Sequence, residues 1–454
     1  MKYIRLLWNL YMLKRNTKKS KKELGKLQEK KLRTMLGYAL EHSEYYRRTF
    51  KAAGITKENF GRMPLSAFPA MDKAAFMENF DELVTNPELS AEELQRFDQE
   101  APAGKNKYKD RFHVVHSSGS TGKPGYFVYD EKAWSQMLLG IIRAALWDMT
   151  MPQIIKLLLR GPRIVYIAAT DGRYGGAMAA GDGISGVGAD QLFLDIKEPM
   201  SEWSEKINQF QPNIVIGYPS AVKILGELKE KGEIKMDLGR VICCGEPLGT
   251  GLRHYLETVF DTEVVNVYGA SESLALGVEL RSQEGMFLFD DLNYIEVEDG
   301  CIYLTSLYNF VQPLIRYRIS DQLQLKSDSG QERYPFSRAE SLLGRNEDLM
   351  WFEDQQGGRE FLHPLAVEGF CIEGLLDYQF RKFGENSFEI LAEVPEEGRQ
   401  DWIRQEIMRL MKEILREKHL DQVKFYVRFV EEILPDPQTG KKRLMETLEK
   451  RRAG

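Results

Sequence analysis

At 454 residues the chain is too long for one ordinary core, and two or three domains are expected. Hydrophobic residues at 43 % and charged residues at 29 % place it among soluble globular proteins. A formal net charge of −6 argues against broad nucleic-acid binding and leaves room for a local basic pocket.

The opening MKYIRLLWNLYMLKRNTKKSKK carries Arg5 inside a short apolar stretch and has no small-residue cleavage site, which speaks against a signal peptide. It is too short to span a bilayer. An amphipathic helix docked on the protein itself is the simpler reading. A weak membrane-surface anchor is the other, since Trp8 and the basic residues suit an interface. Without export signals the chain reads as cytoplasmic. Residues 20–51 are strongly charged with leucines at helical spacing, which predicts an exposed helix ended by the turn at Gly54. A mixed segment then leads to APAGKNKYKD, a surface loop.

Next comes VHSSGSTGKP, residues 115–124. Ser117, Ser118, Gly119, Ser120, Thr121 and Gly122 are six small residues in a row, followed by Lys123. Such a run buries little apolar surface, so packing does not explain it. Its backbone N–H groups can converge on an anion, with hydroxyls and an ammonium as further donors, and a polyphosphate is the natural ligand. A flexible surface turn is the alternative. It is not a Walker A loop, because Pro124 stands where that motif needs Ser or Thr.

Beyond Pro124 the pattern alternates. FVY reads as a strand, residues 133–149 as a buried helix, 164–169 as a strand, and 172–188 as a glycine-rich segment. A helix near 202–210, the strand 213–217, a helix capped by Ser220, the strand 240–244, a helix after Pro247 and the strand 263–267 follow. Buried strands separated by single helices predict parallel βαβ units, so the fold class is α/β. Ligands in such sheets sit beyond the carboxyl ends of the strands. The segments in those places are GYPS (from Gly217), GEPL (from Gly245) and YGASES (from Tyr268). Further on come PLIRYRISD, ending at Asp321, and Gly344-Arg345, which opens a final segment with one amphipathic helix (401–418), the strand 424–430 and the loop PDPQTGKKR. That segment reads as a small α+β domain, giving domains 1–344 and 345–454.

Cys243, Cys244, Cys301 and Cys371 form no CxxC pair and read as buried thiols. The six histidines have no metal-binding spacing.

Taken together and in this order, the Tyr38 and Tyr45-Tyr46-Arg47 helices, the SSGSTGKP loop, GYPS, CCGEPL, YGASES, RYRISD, Gly-Arg and the terminal TGKKR resemble the AMP-forming adenylating enzymes: acyl-CoA synthetases, peptide-synthetase adenylation domains and luciferases. The nearest likeness is to the phenylacetate–CoA ligase branch with its capsule-cluster relatives. The resemblance implies a large adenylating domain and a small mobile lid domain, acting on a small carboxylic acid with ATP, Mg²⁺ and coenzyme A.

In residue terms it implies that Ser117 to Lys123 cradle the β- and γ-phosphates. Gly245, Glu246 and Pro247 would line the adenine, and Tyr268, Gly269, Ala270 and Ser271 would form the turn beside it, with the Tyr268 ring against the base. Glu272 would hold Mg²⁺, a cation that keeps most of its waters; otherwise it is a helix-start acid. Asp321 would accept the ribose hydroxyls and Arg345 add a cation nearby; by itself Asp321 would be a surface ion-pair partner of Arg318. Ala168, Asp171, Arg173 and Tyr218 would line the acid pocket. Lys441, directly after Thr439-Gly440, would be the catalytic lysine of the small domain, with Lys442 its neighbour. Glu347 and Asp348 occupy the hinge.

The likeness departs in three places. AATDGRYGG has Ala168 and Arg173 where phenylacetate ligases carry aromatics, which points to a more polar or larger acid. Ile319 and Ser320 stand where Thr-Gly is usual, and Gly285-Met286-Phe287 replaces a Gly-x-His, so the histidine is absent. Two other outcomes stay open: adenylylation of a hydroxyl or phenol without a thiol step, and loading of a carrier protein. Membrane-surface contact and a homodimer are open as well; nucleic acid is not expected.

Overall fold

The computed structural model describes residues 2–101, 107–116, 125–168, 176, 178–182, 188–195, 200–281, 284–298, 301–327, 332–345, 350–353, 359–362, 367, 370, 372–417, 420–434 and 443–448. The chain divides into two compact units, residues 1–245 with 259–341, and residues 246–258 with 342–454.

The first unit opens with helices α1 (Lys2–Lys14), α2 (Lys21–His42) and α3 (Glu44–Ala52). A capping box starts α2, in which Ser20 and Glu23 satisfy each other's backbone N–H. The expected exposed helix is in fact this pair of helices, broken at Ser43, which caps α3. One face of α2 is buried through Leu24, Leu32, Leu36 and Leu40. The leucine spacing carried that face, and the many charges of the other side obscured it. Three short helices follow, α4 (Lys73–Glu78), α5 (Phe80–Leu83) and α6 (Ala91–Glu100).

Strands β1 (Lys107–Tyr108), β2 (Phe112–His116) and β3 (Tyr126–Asp130) form a small antiparallel sheet. The β2–β3 ladder runs out to the pair His116↔Tyr126, so the serine- and glycine-rich segment is the connection of this hairpin. Helices α7 (Glu131–Ala145) and α8 (Met151–Leu159) come next. The second was not foreseen, although Pro152 stands in its first turn and Gln153 Oε1 accepts from the Thr150 N–H as in a capping box.

An eleven-stranded sheet forms the centre, in the order β11-β12-β13-β14-β10-β9-β8-β7-β6-β4-β5. Its members are β4 (Arg163–Ala168), β5 (Asp190–Asp195), β6 (Ile214–Gly217), β7 (Arg240–Cys244), β8 (Val264–Ala270), β9 (Ser273–Glu279), β10 (Met286–Leu288), β11 (Asn293–Glu298), β12 (Cys301–Ser306), β13 (Tyr317–Leu325) and β14 (Arg338–Arg345). Strands β5, β4, β6, β7 and β8 are parallel; the apolar runs predict β4, β6, β7 and β8, while β5, DQLFLD, is only partly apolar and was not foreseen. Helices α9 (Met200–Phe210), α10 (Pro219–Glu230) and α11 (Thr250–Phe260) lie between them in the chain. From β8 onward the pairing turns antiparallel: β8 with β9, β9 with β10, β10 with β14, and β11–β12–β13. The α/β class holds, with a mixed rather than purely parallel sheet.

A buried ion pair ties the opening helices to this sheet. Arg143 of α7 and Asp291 are both fully buried and bond through two contacts, at 2.5 and 2.9 Å. Asn16 donates to the same carboxylate at 2.7 Å. The guanidinium lies among the rings of Trp147, Phe289 and Phe336. The two mutual bonds, the Asn16 bond and the surrounding rings hold this deep pair, while Arg143 Nε has no hydrogen-bond partner among the described residues.

The second unit has a two-stranded ladder, β15 (Met350–Glu353) with β16 (Arg359–Leu362), and a four-stranded sheet ordered β19-β18-β17-β20. These are β17 (Asp377–Gly384), β18 (Ser387–Glu393), β19 (Lys424–Val430) and β20 (Met445–Thr447). Helix α12 (Gln400–Glu417) buries Ile403, Ile407, Met411 and Leu415, a strict four-residue spacing, in a core with Phe380, Phe388 and Ile390. Of the thiols, Cys243 is buried while Cys244 and Cys301 are half-buried, so the expectation that all are buried holds for one of the three described. Cys371 lies outside the described residues.

Candidate active site

Parallel strands put their carboxyl ends along one edge, and each of β6, β7 and β8 ends there in a polar turn. Close approach dictates the first turn. A Cβ at Gly217 would stand 2.4 Å from the Ile167 carbonyl oxygen, so only glycine fits beside β4. The Tyr218 N–H donates to that same carbonyl at 3.2 Å. Tyr218 rather than Ser220 is the N-cap of α10, because Pro219 takes the first helical position, where its missing N–H costs nothing.

The second turn lies on the first. Gly245 has φ +80°, and a Cβ there would come within 2.7 Å of the Tyr218 ring. Both conditions require glycine. Of the residues after it, Glu246 is half-buried and Pro247 exposed.

The third turn is the most heavily supported. Pairing between β8 and β9 shifts between Tyr268 and Ala270, and Gly269 sits so close to the Leu274 carbonyl that a Cβ would be 2.5 Å from it. This bulge turns the strand end outward. Ser271 and Glu272 form the tip, closed by the pair Ala270↔Ser273. Glu272 is therefore in a hairpin turn and not at a helix start. The Tyr129 hydroxyl of β3 donates to the Glu272 carbonyl at 3.0 Å, so the β2–β3 hairpin is fastened to this turn. Ser273 is buried with its hydroxyl 2.9 Å from that of Tyr308.

Strand β13 reaches the same turn twice. Tyr268 donates its hydroxyl to Asp321 Oδ2 at 2.8 Å. Tyr317 hydrogen-bonds the Glu272 carboxylate; burial first, and then that carboxylate, push its phenol well above the ordinary range. Burial does the same to Tyr129. Both tyrosines stay protonated and act as donors. Asp321 is half-buried and bonded to Tyr268, while Arg318 points to Cys301 Sγ at 3.4 Å, so the expected Arg318–Asp321 surface pair is replaced. Arg316, in the same RYRISD segment, is a framework residue that pairs with Glu296 and Glu298 and donates to the Ser66 and Phe68 carbonyls.

The structure thus gathers Tyr268, Gly269, Ala270, Ser271, Glu272 and Asp321 into one locale, and Tyr218 with Gly245 into another on the same strand edge. Ala168 ends β4 and is fully buried. Arg345 is the last residue of β14. Ser117, Ser118, Gly119, Ser120, Thr121, Gly122 and Lys123 lie outside the described residues, as do Asp171, Arg173, Glu347, Asp348, Lys441 and Lys442. The hairpin end is in view: His116 Nδ1 is 3.3 Å from Asp98 Oδ2. Tyr129 and Tyr317 were not foreseen. Tyr317 stands inside the RYRISD motif; for Tyr129 the sequence holds no signal, since its partner is 143 positions away.

Among the described residues no three His, Cys, Asp or Glu side chains gather into a metal cage. A single carboxylate on a half-buried turn suits a Mg²⁺ ion that keeps its waters and arrives with phosphate oxygens, and does not suit a resident all-protein site. A carboxylate offers about four lone-pair sites, and the Tyr268 hydroxyl uses one of those of Asp321.

The AMP-binding enzyme family matches residues 66–287. The phenylacetate–coenzyme A ligase of Aromatoleum evansii is 25 % identical over 363 residues, 73 % of each chain. The protein CapK of Staphylococcus aureus is 20 % identical over 348 residues, covering 72 % of this chain and 69 % of its own. A 2-hydroxyisobutyryl-CoA ligase solved in a postadenylation state superposes with a TM-score of 0.67 at 18 % identity, covering 94 % of this chain and 89 % of that one, which shows a shared fold. By this family match and these relatives, the chain is similar to the AMP-forming adenylating enzymes, and among them to the phenylacetate–CoA ligase-like branch, over most of its length.

Proposed function

We propose that the protein activates a small carboxylic acid with ATP to an acyl-AMP and then transfers the acyl group to coenzyme A. The observation that carries this is the paired wiring of the β8–β9 turn to β13, Tyr268 to Asp321 and Glu272 to Tyr317. Nucleotide chemistry uses both halves. Asp321 accepts the ribose hydroxyls while Tyr268 fixes the carboxylate and turns its ring to the adenine. The Gly245-Glu246-Pro247 turn supplies the other wall, and residues 117–123, hung from the hairpin that Tyr129 fastens, donate to the β- and γ-phosphates. Mg²⁺, when bound, neutralises phosphate charge, and Glu272 holds it with Tyr317 orienting the carboxylate.

In the first half-reaction a carboxylate oxygen bonds to the α-phosphorus and the bond to pyrophosphate breaks. The protein contributes position and charge, with no covalent step of its own. In the second, the thiolate bonds to the acyl carbon, the carbon–oxygen bond breaks, and AMP leaves. Residues 1–344 form the adenylating domain. Residues 345–454 form a lid that delivers Lys441 to the reacting carboxylate, turning at Glu347 and Asp348, with Arg345 near the ribose. Ala168, Asp171, Arg173 and Tyr218 line the acid pocket. The alanine and arginine in aromatic positions favour a more polar or larger acid than phenylacetate.

A pyrophosphate-release screen over aryl and aliphatic acids, with and without coenzyme A, tests this. Acid-dependent release with a thioester detected by mass spectrometry supports it. A stable adenylated hydroxyl compound formed without coenzyme A would replace it.

A further inference from the structure

We infer that the outer face of α1, with the basic run that follows it, docks on an anionic lipid surface. The inner face is committed. Leu10 and Leu13 are buried, Lys14 donates to the Leu146 and Trp147 carbonyls at 2.7 and 2.9 Å, and Asn16 bonds Asp291. The outer face has no such covering. Trp8 is 61 % exposed, and Tyr11 and Met12 are 40 % and 42 % exposed. The Trp8 and Tyr11 rings stand 5.8 Å apart. Arg5, Trp8, Met12 and Arg15 follow at spacings of three, four and three, which is one stripe on a helix, aromatic in the middle and cationic at both ends.

Charge says what covers it. Eight basic and no acidic residues precede Glu23, in a chain whose net charge is −6. Arg5, Arg15, Lys18, Lys21 and Lys22 are exposed. A second copy of this chain would bring like charges face to face, which disfavours self-association here. Tryptophan and tyrosine beside lysines instead match the headgroup region of an anionic bilayer, where an amphipathic helix lies flat. Among the described residues no helix is long and apolar enough to cross a membrane, so the contact is with the surface.

The experiment is flotation of the full chain with phosphatidylcholine vesicles, with and without phosphatidylglycerol. Binding is expected only to the anionic vesicles, and it should fade as the Debye length falls from about 10 Å at 0.1 M salt to about 3 Å at 1 M. Lys18→Glu with Lys22→Glu, and separately Trp8→Ser with Tyr11→Ser, should each lower binding at least about tenfold. All four side chains are surface ones, so circular dichroism and the thermal midpoint should match wild type. As a check that needs no loss of binding, the emission difference between wild type and Trp8→Phe should shift to shorter wavelength on anionic vesicles alone. Equal partition onto neutral vesicles, no partition at all, or binding unchanged in both variants would overturn the inference. So would a concentration-dependent dimer that Trp8→Ser with Tyr11→Ser abolishes in the absence of lipid.

Discussion

The Tyr268 hydroxyl donates to Asp321 Oδ2 at 2.8 Å, joining the end of β8 to β13 across intervening strands of the sheet. It unites two residues 53 positions apart and holds the carboxylate before any nucleotide arrives. Asp321→Ala should therefore weaken ATP binding by about 1.5–3 kcal/mol for each ribose hydrogen bond lost. Tyr268→Phe keeps the ring and removes only the positioning bond, at a cost of about 0.5–1.5 kcal/mol. Titration calorimetry on both singles and the double variant checks this. The double should fall short of the sum, because the two act as one unit. An ATP affinity within about twofold of wild type in Asp321→Ala would contradict the assignment.

Glu272 and Tyr317 should separate metal dependence from nucleotide affinity. Glu272→Ala is expected to abolish Mg²⁺-dependent pyrophosphate release with the fold intact, since Glu272 is on a half-exposed turn tip. Tyr317→Phe should move the Mg²⁺ titration to higher concentration and leave ATP binding without metal unchanged. Release at saturating Mg²⁺ equal to wild type in Glu272→Ala would retire the metal role.

Sequence patterns reached the site unevenly, for physical reasons. YGASES and RYRISD mark Tyr268, Glu272 and Asp321 through their resemblance to the motifs of the adenylating enzymes; by residue type alone Asp321 would read as a surface ion-pair partner. The bonds that make those residues one site are long-range, and no local pattern records that Tyr317 faces Glu272 or that Tyr129 holds its carbonyl. Parallel β4, β6, β7 and β8 are legible as unbroken apolar runs. The antiparallel β9 to β14 are not, because their order in the sheet depends on pairing between distant segments. Ser220 looked like a cap by residue type; Pro219 decided otherwise. The charged face of α2 masked a buried leucine face of equal length.

A pH signature should come from Asp290, away from the site. Burial raises its carboxyl from the usual range to about 6, against the Ser337 N–H that donates to it at 2.6 Å. The unfolded chain releases this proton near pH 4, so the folded state binds more protons between about pH 4 and 6. Stability from this group is full below that window and is lost as pH rises through it. Asp290→Asn keeps the acceptor and removes the titration. It should be more stable than wild type at pH 7, by up to about 3 kcal/mol. The two thermal midpoints should converge toward pH 4. A constant difference across the window would contradict the account.

Lys441 should matter to one half-reaction only. Loss of one preorganised electrostatic stabiliser costs about 10²–10³ in rate, and Lys441→Ala should slow acyl-AMP formation by that much. Supplied with acyl-AMP and coenzyme A, the variant should form thioester at close to the wild-type rate if the lid turns between the two steps as proposed. Lys442→Ala should resemble wild type in both single-turnover assays. Equal loss in both halves of the reaction in Lys441→Ala would remove the lid rotation, and loss in Lys442→Ala alone would move the role by one residue.

The central claim is that a carboxylate oxygen of the substrate attacks the α-phosphorus of ATP. Once the pyrophosphate screen has supplied an acid, that acid is labelled with oxygen-18 in its carboxylate and turned over with ATP and coenzyme A, and the AMP is weighed by mass spectrometry. The bridging oxygen of the acyl-AMP comes from the acid and stays with AMP when the thiol displaces it. The account predicts one heavy oxygen in the AMP of every turnover. Unlabelled AMP would contradict it.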